Sequence, residues 1–334
     1  MTAAVCKLPV TYPFIVAYTT HATTLSIVTN YDDYLPWFCS NYVQLRVVHD
    51  LSSRAWVDFY SLMPGGVHHC PYLETQHIHL PTLRALRGGI VEFLIEMIGA
   101  GYYVYACVET SCISAYHSYG KYRFPHTMLI YGYDREQKLF HIGDFLRANY
   151  AYGTAGFDEV ERAFAATTVE EAVGFHGLKL LRYKPDADYK FHLGNVAELV
   201  GDYLHSRPTS RRYLSHVQPF GPESLGMDPV YTRLGQDLEL NIDNPDIFQY
   251  PSFHVLYEHK KALSLIYNYM RTIGCIDESH RFDAVEEKAL SVRNTVMKYS
   301  LTRDPRFVRS ALDALRELYQ LEQEALTRLL PAIG

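Results

Sequence analysis

The 334-residue chain has no CxxC pair among its six cysteines, no glycine-rich phosphate loop, and no excess of positive charge. It also has no uncharged apolar run of roughly 18 residues, the length a membrane-spanning helix requires. Each absence removes a class of function. Without paired cysteines, neither a disulfide scaffold nor a standard structural zinc site is expected, and Cys6, Cys39, Cys70, Cys107, Cys112 and Cys275 read as free thiols of a reducing compartment. Without a GxGxxG or P-loop there is no sequence case for a nucleotide. Lys plus Arg number 31 against 37 Asp plus Glu, a net charge of −6, which argues against a nucleic-acid binder. The longest apolar region, Ile90–Val108, is interrupted by Glu92, Glu96, Gly99 and Gly101, and Met1–Val10 lacks the apolar centre of a secretion signal. The expectation is a cytoplasmic protein with no membrane partner.

What is present suits a folded globule. Hydrophobic residues make up 48% and charged residues 20%. Tyrosine stands out, at 28 against 16 Phe and 2 Trp, and its polar tip suits a half-wet pocket, an interface or an ordinary core. The pattern predicts short strands at Phe14–Tyr18 and Thr24–Val28, then a helix led by Pro36 through Trp37–Val48. Ser61–His79 reads as loop and Pro81–Gly99 as helix, followed by a strand at Tyr102–Val108. A hairpin follows, Thr127–Tyr133 and Leu139–Ile142, and then a helix at Phe157–Thr167 and a strand near Gly177–Tyr183. From Lys190 the pattern is helical: Val196–His205, Tyr250–Ile273, Arg281–Tyr299 and Pro305–Pro331. Arg207–Asp228 reads as a loop-rich stretch within it. The expected class is α+β, with an antiparallel or mixed sheet in residues 1–185 and a helical domain in 190–334. The junction between them is the default pocket.

The chemically informative run is His126 to Asp134, a polar turn, then His141 to Asp144. His126 opens one arm of the hairpin and Asp144 closes the other, so a tight turn brings them side by side. A carboxylate there accepts the imidazole N–H, fixes its tautomer and stabilises its charged form. The bland alternative is a surface histidine and a turn aspartate.

The order of helix, Gly101, strand, His126-x5-Gly132-Tyr133-Asp134, polar turn, strand and Asp144 resembles the papain-like cysteine peptidase fold. More narrowly it is similar to the butirosin biosynthesis protein H-like family. The matching pieces are Gly101–Glu109, His126–Asp134 and His141–Asp144, about 45 residues, with a helical second half carrying Tyr257–Lys261. The resemblance implies a papain-like N-terminal domain and an acyltransferase of specialised metabolism. Such an enzyme takes an acyl group from the thioester of an acyl or peptidyl carrier protein and hands it to a small-molecule amine, or cyclises it. It needs no cofactor of its own, because phosphopantetheine arrives on the partner. A catalytically inactive assembly-line partner and a cysteine peptidase are the alternatives.

A papain-like site needs a thiol at a helix start, where the dipole and an imidazolium favour thiolate. Cys39, just after Pro36, is the candidate nucleophile beside His126 and Asp144. The run departs from the family there: no Gly follows Cys39, and Gln44 lies after it rather than before. The alternative is a packed core thiol. Without a thiol nucleophile, His126 can still act as a base on a substrate activated by its own thioester. Glu109 matches an acidic strand-end position of the family and is a candidate to orient a substrate amine, or caps a loop. Tyr131, Glu258 and His259 are further candidate substrate contacts, the last two alternatively on a solvated helix face. His68, His69, Cys70, His77 and His79 form a dense cluster, yet its spacing fits no standard zinc site, and no metal is expected.

Overall fold

The computed structural model describes residues 3–49, 55–60, 70–86, 88–147, 149–174, 177–212, 223–243 and 250–334. In chain order the elements open with β1 (Val5–Lys7), α1 (Thr19–Val28), α2 (Leu35–Asn41), β2 (Gln44–His49), β3 (Ala55–Tyr60) and β4 (Leu73–Ile78). Next come α3 (Leu80–Arg84), α4 (Gly89–Gly99), β5 (Tyr103–Glu109), β6 (Pro125–Asp134), β7 (Leu139–Phe145) and β8 (Tyr150–Gly156). After α5 (Phe157–Ala166), α6 (Val169–Gly174) and β9 (Leu178–Tyr183), the chain is helical: α7 (Leu193–Leu204), α8 (Met227–Asp243), α9 (Pro251–Thr272), α10 (Asp283–Thr302) and α11 (Pro305–Ile333). None of the described helices is long and apolar enough to cross a membrane. Two compact units result: Met1–Tyr34 with Gly65–Asp188, and Leu35–Pro64 with Tyr189–Gly334.

In the first unit, seven strands among the described residues form one antiparallel sheet in the order β4-β9-β5-β6-β7-β8, with β1 added against β6. Gly132 makes that addition possible, because a Cβ there would sit 2.8 Å from the Cys6 carbonyl oxygen. Strand alternation sorts the two faces. Val104, Ala106 and Val108 of β5, Met128 and Ile130 of β6, and Phe140 and Ile142 of β7 point to one face. There they meet Leu94, Ile95 and Ile98 of α4 and Val160, Ala163 and Phe164 of α5. Each Val, Leu, Ile, Met or Phe among them, fully buried, contributes about 1.5–3 kcal/mol before chain entropy is counted. The opposite face carries Tyr105, Thr127 and Lys179 and meets α1 through Thr19.

The second unit is built on α9, α10 and α11, which pack in sequence, with α7 and α8 against α11. It also holds the β2–β3 hairpin, whose Arg46 bridges to Leu225. On α11 the buried positions Val308, Ala311, Leu315, Leu318, Leu326 and Leu329 follow helical spacing, and Glu322 is fully buried among them.

Several local expectations are revised. Thr19–Val28 is a helix, not a strand, and Phe14–Tyr18 is irregular. Nine of the ten residues of α1 are buried, and packing overrides the weak helical preference of its β-branched residues. The Pro36 helix ends at Asn41, and Gln44–His49 pairs with Ala55–Tyr60 instead of continuing it. Leu73–Ile78, expected within a loop, is an edge strand against β9. The Pro81–Gly99 helix is two helices, α3 and α4.

Candidate functional site

Asp134 receives the Gln137 N–H at 2.9 Å, and Lys138 takes a positive φ of 53° to close the β6–β7 turn. Ile130 then faces Ile142, and Leu129 faces Gly143. Continued along the arms, this register places His126 and Asp144 on the face shared with Met128 and Ile142. His126 Nδ1 lies 2.9 Å from Asp144 Oδ2. Asp144 is fully buried, whereas 25% of the His126 side chain is exposed.

The carboxylate is held from three sides. The Tyr116 hydroxyl donates to Oδ2 at 2.6 Å, and the Phe145 backbone N–H donates to Oδ1 at 2.6 Å. Tyr116 is itself buried, and both burial and the neighbouring Asp144 charge raise its pKa well above the ordinary value, so it stays a donor. Because an ionised carboxylate only accepts, His126 carries its proton on Nδ1 and leaves Nε2 as the basic nitrogen. Within the first unit Asp144 is the ring's hydrogen-bonding partner. Phe124 stacks on the imidazole at 5.4 Å and 12°, and Phe145 meets it edge-on at 6.3 Å. Burial opposes the imidazolium, but the charge and hydrogen bond of Asp144 outweigh it, and the His126 pKa lies above the ordinary 6.5. A partly exposed base with an oriented proton and a stabilised cation is equipped for proton transfer.

Glu109 joins this neighbourhood through the backbone. Its Oε1 accepts the N–H groups of Ser111 at 3.0 Å and Phe124 at 2.8 Å, so it clasps the chain two residues before His126. Burial works to raise its pKa, but these donors and the Arg123 guanidinium, 3.5 Å from Oε2, hold the carboxyl below the usual value. Oε2 itself has no hydrogen-bond partner.

Of the other candidates, Tyr131 belongs to the first unit and Cys39, Glu258 and His259 to the second. Cys39 is fully buried, the fifth of seven residues in α2, and belongs to the second unit, whereas His126 and Asp144 belong to the first. Burial pushes its thiol up to about 12. Tyr131, also buried, meets Tyr152 at 5.3 Å, His141 at 5.9 Å and the Lys7 ammonium at 5.7 Å. Glu258 and His259 lie mid-way along α9 in the interior of the second unit, not on a solvated face. His259 Nε2 donates to the Val43 carbonyl at 2.9 Å, and its Nδ1 accepts from Lys260 at 3.0 Å. Lys260 also reaches Glu322 at 2.5 Å, and Glu322 accepts the Tyr231 hydroxyl at 2.6 Å. A cavity of about 650 Å³ lies between α8 and α11, with Tyr231 and Tyr319 in its wall. His68 and His69 lie outside the described residues, and among the described residues no three His, Cys, Asp or Glu side chains converge as metal ligands.

Tyr116, Phe124 and Phe145 are the site residues that sequence reasoning missed. Tyr116 is one of 28 tyrosines in a stretch with no periodic signal. No family model matches the chain, and no curated protein matches it.

Proposed function

We propose that this protein is an acyltransferase with a papain-like first unit, in which His126 and Asp144 promote attack of an amine on a carrier-protein acyl thioester. The observation that supports this reading is the 2.9 Å contact between His126 Nδ1 and the buried Asp144 carboxylate. In the step, the amine nitrogen forms a bond to the thioester carbonyl carbon while His126 Nε2 takes its proton. The carbon–sulfur bond breaks, and the imidazolium returns the proton to the departing thiolate. Amide and free thiol are the products. Asp144 stabilises the transient imidazolium, which is what an acid beside a catalytic imidazole contributes. The same dyad serves ring closure when the amine belongs to the acyl chain itself.

The step runs without a protein thiolate. That suits Cys39, whose burial pushes its thiol up to about 12, and it disfavours a cysteine peptidase. The unpaired cysteines suit a cytoplasmic setting. The test follows thiol and amide release from an acyl thioester presented with an amine. Replacing His126 with Ala should abolish turnover, and replacing Cys39 with Ala should spare it. Undiminished turnover without the imidazole would refute the proposal; loss of turnover in a folded Cys39→Ala protein would replace direct transfer with an acyl-enzyme.

A further inference from the structure

Phe124 is 46% exposed, at the end of the segment that joins β5 to β6, yet its backbone is held on both sides. Its N–H donates to Glu109 Oε1 at 2.8 Å. Its carbonyl oxygen accepts the Thr110 hydroxyl at 2.6 Å and the Thr110 N–H at 3.2 Å. Two consecutive residues, the last of β5 and the next, therefore grip one residue of the returning chain. In register Val108 stands across from His126 and Glu109 across from Pro125, so the grip falls just beyond the last pair of the β5–β6 ladder.

The grip is itself buried and supported. Glu109 is 1% exposed, and Thr110 and Ser118 are buried too. With its proton committed to Phe124, the Thr110 hydroxyl accepts from the Ser118 hydroxyl, 2.8 Å away. The Glu109 N–H donates to Thr167 Oγ1 at 3.0 Å, and the Thr167 hydroxyl donates to the Ala163 carbonyl of α5 at 2.8 Å. Polar contacts thus run from α5 through Glu109 to Phe124. Glu109 also caps the short turn Thr110–Cys112 by accepting from Ser111 N–H. Capping alone asks only for a short Asp, Asn or Ser. The longer side chain reaches Phe124 as well.

What Phe124 covers is the imidazole. Its ring stacks on His126 with 12° between planes, while Phe145 meets the imidazole edge-on. The Asp144 hydrogen bond fixes one nitrogen of the imidazole. The outer torsion of a histidine side chain is broad, and a quarter of this one faces solvent, so a single hydrogen bond leaves the ring free to swing outward. The stacked phenyl ring blocks that swing on its own face.

We propose that Glu109 and Thr110 are positioning residues: by gripping the Phe124 backbone they hold its ring on the imidazole and keep His126 against Asp144. The catalytic consequence rests on the reading of His126 as a base; the positioning does not.

Two readouts on the whole protein test this: exchange of the His126 Nδ1 proton with water, followed by NMR, and kcat for aminolysis of an acyl thioester. Glu109→Leu removes the acceptor of the Phe124 N–H, and Phe124→Ala removes the ring while leaving the grip. Each should speed Nδ1 proton exchange roughly 3–10-fold, the worth of one aromatic pair. Each should lower kcat by about the same factor with KM little changed, the pattern of a misaligned base and not of lost binding. Thr110→Val should act in the same direction. Glu109→Gln, which keeps an acceptor oxygen and loses the charge, should recover most of what Glu109→Leu loses. Wild-type exchange in Phe124→Ala would overturn the proposal, whether or not the Glu109→Leu protein folds. So would a Glu109→Gln protein as impaired as Glu109→Leu, which would assign the effect to the charge of the residue and not to its grip. A wild type that does not turn over the thioester would refute acyl transfer, and the exchange contrast alone would then decide the positioning.

Discussion

Replacing Lys179 with Met should stabilise the protein at neutral pH. The depression of its pKa by burial, from 10.5 to about 8, means that the folded state disfavours the charged lysine by roughly 3 kcal/mol relative to the unfolded chain. Methionine has a similar length and fills the same space without a charge. It forgoes the cation–π contact with Tyr105, worth about 1 kcal/mol, so the expected net gain at pH 7 is about 2 kcal/mol. The pH dependence fixes the cause. Between about 8 and 10.5 the unfolded lysine still binds a proton that the folded one has released, so wild-type stability gains from rising pH in that window. Urea unfolding of both proteins at pH 7 and at pH 10 reads the difference. The Met variant should lead at pH 7, and its lead should shrink at pH 10. A Met variant less stable at pH 7, or a gap independent of pH, would refute the reasoning.

Other expectations follow from the two interiors. Lys260→Met leaves Glu322 buried without its cation and should cost about 3–5 kcal/mol in denaturant unfolding, while the double variant with Glu322→Leu should recover most of the loss. Cys39 should resist thiol-reactive reagents at pH 7–8 in the native protein and react only on unfolding, because burial holds it up at about 12; rapid native labelling would contradict this. Tyr116→Phe removes the 2.6 Å donor to Asp144, which should cost about 1.5–3 kcal/mol of stability. It should also slow thioester aminolysis less than Asp144→Asn does, for which the precedent is roughly 10⁴-fold.

The His126–Asp144 pairing was legible in the sequence because a hairpin is local. A dense apolar run, a polar turn and a second run set the register, and register carries both ends with it. The antiparallel sheet and the helical C-terminal half were readable on the same grounds of periodicity. What could not be read depends on burial by distant parts of the chain. Thr19–Val28 carries the β-branched composition of a strand, and only packing on nearly every side makes it a helix. Val47 and Val48 belong to a hairpin that a proline-led helix masked. Lys179, a charge between leucines, reads as a solvent-facing strand position until the fold covers it. Glu258, His259 and Lys260 read as a polar helix face, and Glu322, 62 residues beyond Lys260, is what allows that lysine inside.

The central claim is that Asp144 governs the protonation of His126. An NMR titration of the His126 ring in the wild type and in Asp144→Asn tests it directly. The account predicts a wild-type midpoint above 6.5 that falls below 6.5 in the variant, where burial alone remains to oppose the charge. Equal midpoints in the two proteins, or a wild-type value below 6.5, would contradict it.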